Sequence, residues 1–257
     1  MSNQNGRVAE LYRYPVKGLT PHRLEQVGLE PGRTFPRDRA YAIENGPGRF
    51  DPLAPKHLPK INFLMLMRNE QLAAIKTEFD DANDTLTIKR DGKQVARGQL
   101  TTRVGRAMIE QFIAGYMPTA LRGAPKIVAS DGHTFSDVAA HCVHIVNLET
   151  VRALERVVQR EVHPLRFRAN IYADGLPAWS EFDWIDKTIA VGDIRMRVWA
   201  RTQRCDATNV DPLSAARDMS IPATLQRAFG HTDLGVYASI IDAGVLRAGD
   251  RITTDVR

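Results

Sequence analysis

Residues 192–205 read GDIRMRVWARTQRC and contain the clearest strand signal in the chain. Successive side chains of a strand point to opposite faces. One face of this strand is formed by Ile194, Met196, Val198 and Ala200, and the other by Arg195, Arg197 and Trp199. The alternation stops at Arg201, which predicts that Cys205 lies just past the strand end, in a loop at the rim of a sheet.

Further short strands are predicted on both sides of this segment. The β-prone stretches are residues 7–14, 39–44, 85–89, 93–96, 167–173 and 189–191. The turn Asp91-Gly92 joins two of them into a hairpin, which predicts a small paired-strand insert. Three helices are predicted: residues 102–116, residues 148–159 behind an Asn147 cap, and a short one with Ser220 as its N-cap and Gly230 just past its end. The pattern indicates a β-rich α+β fold, a barrel with a few covering helices.

Composition limits the compartment and the partners. The chain has 257 residues, is 43% hydrophobic and carries a formal charge of +5. No signal peptide or membrane-spanning run is visible, so we expect a cytoplasmic protein that does not enter a membrane. The basic residues are scattered rather than arranged as a stripe with stacking aromatic residues, so we do not expect nucleic acid as a partner. A mild positive surplus suits a phosphorylated small ligand.

The two cysteines have different surroundings. Cys142 lies in an apolar run and is expected to pack in the core. Cys205 lies between an arginine and an aspartate, where Arg201 and Arg204 would favour the thiolate, the form that binds soft metals. Two cysteines form neither a disulfide framework nor a structural zinc site, and an iron–sulfur cluster needs about four. A cysteine hydrolase with a distant histidine stays open as an alternative.

Other polar residues are candidates for the same site. Arg168 and Asn170 are two positions apart and are predicted on one face of a strand. Lys17 and Gly18 follow a Pro-containing break, from which the lysine ammonium can reach outward beside an unobstructed backbone N–H. Arg39 is predicted to begin a strand. Read singly, each of these is an ordinary surface residue.

Read together, these segments resemble a known family. The matching stretches, in chain order, are Tyr14–Gly18, Arg37–Arg39, Arg168–Ile171, Gly192–Asp193, Arg204–Pro212 and Gly235–Tyr237 with Gly249–Asp250. They resemble the signature positions of MOSC proteins, named after the C-terminal domain of molybdenum cofactor sulfurases. The closer resemblance is to the two-part type, which includes the mitochondrial amidoxime-reducing component and its bacterial relatives.

The resemblance implies a domain division and a cofactor. It implies a MOSC N-terminal β-barrel domain over residues 1–120 and a MOSC domain over residues 121–257, with a molybdenum cofactor (molybdopterin) in the cleft between them. Cys205 would be the catalytic residue and the metal ligand, as suits a soft anionic sulfur. The other cofactor-binding residues would be Lys17, Gly18, Arg39, Arg168, Asn170 and Arg204. Arg39 and Arg168 suit bidentate phosphate contacts, and Asn170 suits the pterin or a metal oxo group.

The resemblance also implies a reaction. N-hydroxylated small molecules such as amidoximes, hydroxylamines and N-hydroxylated bases would be reduced, with the cofactor performing the difficult chemistry. Because the chain has too few cysteines for an iron–sulfur cluster, the electrons would come from a separate donor protein of the ferredoxin, flavodoxin or cytochrome b5 type with its reductase. By the same analogy we expect a monomer. The alternative is a protein that carries or delivers the cofactor, or sulfur as a Cys205 persulfide.

The sequence departs from the family at two positions near these residues. Gly18 stands where a serine is usual, and Thr202 stands where many members have a second cysteine. The first change removes a hydroxyl contact to the cofactor, and the second makes a redox pair with Cys205 unexpected.

Overall fold

The structure is a computed structural model that describes residues 6–254. Its strands, in chain order, are β1 (Gly6–Arg13), β2 (His22–Leu24), β3 (Gln26–Leu29), β4 (Ala42–Asn45), β5 (Lys76–Asp80), β6 (Thr85–Arg90), β7 (Lys93–Gln99), β8 (Pro125–Val128), β9 (Val143–Asn147), β10 (Ile171–Asp174), β11 (Thr188–Val191), β12 (Ile194–Gln203), β13 (Asp233–Ile240), β14 (Gly244–Arg247) and β15 (Arg251–Thr253). The α-helices are α1 (Arg103–Tyr116), α2 (Leu148–Val158) and α3 (Ile221–Phe229). Within the described residues, no helix is both long enough and apolar enough to cross a bilayer.

Seven strands close a β-barrel around the larger hydrophobic core. Their order is β1-β10-β9-β13-β12-β11-β15 and back to β1. β9 and β10 run parallel, and the other neighbours run antiparallel. Along β12, Ile194, Met196 and Val198 are completely buried, while Arg195 and Arg197 are exposed. The predicted alternation is therefore confirmed from Ile194 to Val198, and so is the predicted β-rich α+β fold with a barrel and covering helices. Ala200, predicted on the core face, instead pairs with Tyr237 because the register shifts after Val198.

The two halves of the chain share their sheets. β1, from the start of the chain, closes the barrel by pairing with β10 and β15. β3 pairs with β14 in a separate two-stranded sheet. The cleft-forming elements of both halves are thus fixed to one barrel, while the division at residue 120 stays a prediction.

A second core lies beneath the small sheets of the first half. β5, β6 and β7 form a three-stranded sheet, and the predicted hairpin between β6 and β7 is confirmed. Ile109 and Ile113 of α1 pack in one cluster with Leu86 and Ile88 of β6. The helix lies so close to β7 that a Cβ atom on Gly98 would lie 2.0 Å from the carbonyl oxygen of Gly105 in α1. Only a residue without a side chain fits at this crossing.

The helix boundaries agree with the capping signals in the sequence. The Thr102 hydroxyl accepts a hydrogen bond from Gly105 N, and Asn147 Oδ1 accepts one from Glu149 N, both at 3.0 Å. These bonds satisfy free N–H groups of the first helical turns. α3 differs from the prediction, because Ser220 makes no capping bond with its side chain. Asn209 Oδ1, from the loop that follows Cys205, accepts the bond from Ile221 N at 2.8 Å instead.

Two predicted strand positions are wrong. Residues 164–167 form a 3-10 turn that begins at Pro164, and Arg168 ends it in the left-handed region at φ 52°. The strand starts only at Ile171, so Arg168 and Asn170 do not share a strand face. Arg39 is also left-handed, at φ 49°, and β4 begins three residues later. Such backbone strain in non-glycine residues is concentrated at functional sites.

A buried carboxyl group gives the fold a specific pH dependence. Glu181 is 0% exposed, and its Oε2 accepts hydrogen bonds from Asn147 Nδ2 and Thr150 Oγ1, both at 3.0 Å. Burial raises the pKa of Glu181 to about 7. The fold therefore favours the protonated form of Glu181. This preference stabilises the fold fully at a pH below the pKa of Glu181 in the unfolded chain, and the stabilisation disappears as the pH rises through about 7.

We expect Glu181→Gln to remove this loss. From acid to mildly alkaline pH, the free energy of unfolding of the wild type should fall by about 3 kcal/mol relative to that of the variant. Urea titrations at a series of pH values measure it. A difference that does not change with pH would contradict the assignment to Glu181.

Candidate functional site

All seven residues that the sequence analysis assigned to the site line one cleft of about 430 Å³. They are Lys17, Gly18, Arg39, Arg168, Asn170, Arg204 and Cys205. The other lining residues include Met65, Leu66 and Met67 from the first half and Trp199 and Tyr237 from the barrel. The fold therefore brings together segments that are far apart in the sequence, although their individual roles remain predictions.

Cys205 lies where the sequence analysis placed it, just past a strand. β12 ends at Gln203, and Cys205 precedes the 3-10 turn Asp206–Asn209. Its carbonyl oxygen accepts hydrogen bonds from Thr208 N at 3.0 Å and from Thr208 Oγ1 at 2.9 Å. The thiol is free and the residue is partly exposed to the cleft. A rigid turn thus holds an accessible sulfur at the barrel rim.

Two guanidinium groups lie on one buried tyrosine. Arg39 Cζ is 4.6 Å and Arg168 Cζ is 4.1 Å from the centre of the Tyr14 ring. Arg39 pairs with the Asp38 carboxylate at 2.5 Å, and its Nη2 donates to the carbonyl oxygen of Arg168 at 3.0 Å. The left-handed backbone at Arg39 and Arg168 therefore places both guanidinium groups on the Tyr14 ring, which attracts cations.

Arg168 has a charge that the protein does not fully compensate. Its Nη2 is shielded from solvent and has no hydrogen-bond partner among the described residues. Burial lowers the pKa of Arg168 to about 10, with the neighbouring Arg39 acting in the same direction. The group therefore stays charged at neutral pH. A partly buried cation that lacks a full set of partners is costly, and an anionic ligand would relieve that cost.

Lys17 is buried and has two oxygen partners. Its Nζ donates to the carbonyl oxygen of Phe135 at 2.8 Å and to Asp137 Oδ1 at 2.5 Å. Burial lowers the pKa of Lys17. Although burial acts in the opposite direction, the charge of Lys17 holds the pKa of Asp137 well below its usual range. The next residue, Gly18, has φ +84° and the carbonyl of Leu64 close by, which disfavours the serine usual at this position.

The polar atoms of Asn170 are engaged by the protein. Asn170 Oδ1 accepts from His144 N at 3.1 Å, and its Nδ2 donates to the Tyr12 carbonyl at 3.2 Å. These bonds join the start of β10 to β1 and β9. Asn170 reaches the cleft wall, but its amide is occupied in holding these strands together.

Arg204 spans the rear of the cleft. Its Nη2 donates to the Phe167 carbonyl at 2.6 Å, and its Nη1 lies 3.2 Å from His144 Nε2. Burial, and then the charge of Arg204, holds the pKa of His144 well below its usual range. His144 is therefore neutral and accepts from Arg204, which fixes the guanidinium in place next to Cys205.

Lys60 and Asp137 are further site residues, which no sequence pattern indicated. Lys60 Nζ lies 3.7 Å from Asp137 Oδ2, and Lys60 also interacts with Cys205. Although burial alone would lower it, the pKa of Lys60 is raised by Asp137 and Cys205. Lys60 lies in a Pro-rich stretch without a recognisable motif, so no local signal marked it. The interaction of Asp137 with Lys17 depends on two segments 120 residues apart.

Positive charge predominates in the cleft. The cationic side chains that line it are Lys17, Arg39, Lys60, Arg166, Arg168, Arg201 and Arg204, against Asp38 and Asp137. Cys142 also reaches the wall, but it is 9% exposed and burial raises its pKa to about 12. The arrangement can therefore hold an anionic ligand beside one accessible thiol, Cys205.

Comparison with known proteins identifies the family. The model of the MOSC N-terminal beta barrel domain matches residues 5–116, and the model of the MOSC domain matches residues 131–253. The chain contains both MOSC domains. The resemblance inferred from the ordered motifs, including the two-part type, is thereby confirmed.

Two curated relatives of this MOSC protein and one solved structure are similar to it. Mitochondrial amidoxime reducing component 2 from Rattus norvegicus is 26% identical over 97% of this chain and 83% of its own length. Molybdenum cofactor sulfurase from Caenorhabditis briggsae is 22% identical over 85% of this chain, which spans 31% of that relative. The crystal structure of the YUAD protein from Bacillus subtilis has a TM-score of 0.45 at 10% identity, covering 98% of this chain and 96% of that one.

Proposed function

We propose that this MOSC protein binds a molybdenum cofactor in the cleft and reduces N-hydroxylated small molecules with electrons from a separate donor protein. The observation that carries the proposal is the incompletely compensated guanidinium of Arg168 in a cationic cleft beside the accessible Cys205. The phosphorylated pterin is an anion, and a thiolate is the protein ligand that suits a metal already bound to sulfur. The similarity to an amidoxime reducing component supports the reaction class.

The chain's own residues divide the work of holding that group. Arg168 and Arg39 offer forked donors that suit phosphate oxygens. Lys17 adds a buried positive charge, fixed by Asp137 and the Phe135 carbonyl. Cys205 supplies the sulfur ligand, and Arg204 is held beside it through Phe167 and His144. When bound, the molybdenum cofactor supplies the two-electron chemistry that removes oxygen from nitrogen.

Turnover is the test of the reductase function. Protein purified from a host that makes the cofactor should be reoxidised, after chemical reduction, by hydroxylamine or an amidoxime. The absorbance of the reduced protein should then return to that of the oxidised form, with formation of the amine or amidine. Loaded protein that neither compound reoxidises would contradict the reductase function.

A second candidate function is cofactor or sulfur delivery. The similarity to a molybdenum cofactor sulfurase favours it, as does an accessible thiol that lies at the rim rather than in the core. Transfer of the cofactor to an apo-enzyme, or a persulfide on Cys205 detected by mass spectrometry, without turnover of N-hydroxylated compounds, would support this candidate instead.

Replacing Arg168 is expected to weaken cofactor binding but to stabilise the ligand-free protein. Arg168→Met keeps most of the packing on Tyr14 but removes a partly buried cation that lacks a full set of partners. We expect the ligand-free variant to be about 1 kcal/mol more stable than the wild type, and its molybdenum content after expression to fall. Thermal unfolding of apo-protein and metal analysis measure the two effects. A variant that is less stable and keeps its molybdenum would contradict the ligand-binding role.

A further inference from the structure

The cleft has an aromatic wall, formed by Trp199, Tyr237 and His144, to which the proposed function assigns no role. Tyr237 of β13 pairs in register with His144 of β9 on one side and with Ala200 of β12 on the other. Three neighbouring barrel strands therefore contribute one row of side chains to the cleft.

A β-bulge lies beside Trp199 in this row. The register of β12 against β13 shifts between Val198 and Ala200, so that Ala200 pairs with Tyr237. Trp199 stays on the non-core face of β12, the face of Arg195 and Arg197, as the sequence alternation predicts. It is half-buried, lines the cleft and stacks on Tyr237, with ring centres 5.4 Å apart and planes at 17°. Bulges are common beside active sites.

The wall continues from Trp199 to a neutral imidazole. The Tyr237 and His144 rings have centres 5.4 Å apart. His144 is uncharged because burial and Arg204 hold its pKa well below its usual range. The His144 plane is tilted by 48° from that of Tyr237, and the row of three rings is uncharged in a cleft that is otherwise cationic. Such a surface suits the flat face of a ring rather than an anion.

Trp199 also has an unused hydrogen-bond donor. Its indole Nε1 is shielded from solvent and has no acceptor among the described residues. A buried donor without a partner is destabilising, and an acceptor atom at the edge of a bound ring would relieve that penalty. The first half of the chain contributes Met65, Leu66 and Met67 to the same cleft. Thioethers pack well against aromatic rings and adapt to different ring shapes.

We propose that Trp199 and its aromatic wall are the specificity determinant of this cleft, selecting N-hydroxylated substrates that carry a planar aromatic or heteroaromatic ring. This inference rests on the proposed reductase function. Stacking of a ring on an aromatic side chain is worth about 1–3 kcal/mol, which is roughly a 5- to 150-fold change in affinity. Small non-aromatic substrates gain nothing from the wall.

The experiment compares Trp199→Leu with the wild type and with Trp179→Phe as a matched control. Trp179 packs with Phe182, Phe229 and His231 and is not among the residues that line the cleft. With protein loaded by a cofactor-producing host, we expect Trp199→Leu to raise the KM for benzamidoxime about tenfold. Its KM for hydroxylamine and its molybdenum content should stay at wild-type values, and the control should be normal in all three measurements.

Three outcomes would overturn the inference. Equal effects on both substrates would show that Trp199 acts on the site in general. A fall in molybdenum content would show that the wall holds the cofactor's own ring. An unchanged KM for benzamidoxime would show that the ring does not meet Trp199.

A binding measurement separates this inference from the reductase function. If no substrate is turned over, the reductase function fails. A calorimetric titration with benzamidine then tests the aromatic wall alone. Weaker binding by Trp199→Leu than by Trp179→Phe then supports the wall. Equal binding overturns it.

Discussion

Replacing Cys205 by serine is expected to remove most of the molybdenum from protein made in a cofactor-producing host, a decrease of about tenfold or more. A serine hydroxyl is a harder, less acidic ligand than a thiol, so it does not replace thiolate at a metal held by sulfur. Reduction of N-hydroxylated compounds should fall in parallel. Metal analysis by mass spectrometry and a turnover assay measure the two losses.

The second cysteine provides the matched control. Cys142→Ala changes a buried, free cysteine at the cleft wall, which is expected to act only through packing. This variant should keep its molybdenum at the wild-type level. If Cys205→Ser keeps full molybdenum and activity, or if Cys142→Ala loses them as strongly, Cys205 is not the ligand.

Replacing Arg166 by methionine is expected to destabilise the fold strongly. Arg166 Nη2 pairs with Asp211 Oδ2 and with Asp218 Oδ1, both at 2.8 Å, and its side chain is 1% exposed. Removing one partner of a buried ion pair leaves the other charges uncompensated and typically costs about 3–5 kcal/mol. The two aspartates are only partly buried, so we expect about 3 kcal/mol, measured as the free energy of unfolding in urea.

Arg195 provides the control for this prediction. It forms a bidentate pair with Asp242 on the surface, with N–O distances of 2.7 and 3.0 Å. An exposed ion pair contributes little to stability. Arg195→Met should therefore unfold close to the wild-type urea concentration. Equal stability of the Arg166 and Arg195 variants would contradict the structural role of Arg166.

The effect of Arg166 should extend to the site. Arg166 Nη1 also donates to the Asn209 carbonyl at 3.2 Å, and Asn209 caps α3 through Ile221 N. The turn that begins after Cys205 is therefore fixed by a buried arginine and by a helix start. Several polar residues between positions 206 and 218 build this loop rather than contact a ligand. This explains why the motif after Cys205 contains so many polar residues.

The sequence predicts those elements that local patterns determine. The alternation in β12 up to Val198, the Asp91-Gly92 hairpin and the Asn147 cap of α2 depend on residues a few positions apart, and all are observed. The motifs also indicated the two domain types, because their order along the chain is a property of the sequence itself.

Other features depend on contacts between distant segments and could not be predicted in this way. The left-handed backbone of Arg39 and Arg168 reflects their shared position on Tyr14, which no local pattern shows. Lys60 lacks a motif and becomes a site residue only where it meets Asp137. Ala200 was assigned to the core face because strict alternation contains no signal for a bulge.

The molybdenum content and absorption spectrum of freshly purified wild-type protein test the central claim most directly. With expression in a host that makes the cofactor, we expect about one molybdenum per chain and a visible absorption band of a sulfur-ligated metal, since Cys205 and the cationic cleft form a single site. Protein that is fully folded yet contains almost no molybdenum, with a featureless visible spectrum, would contradict the account.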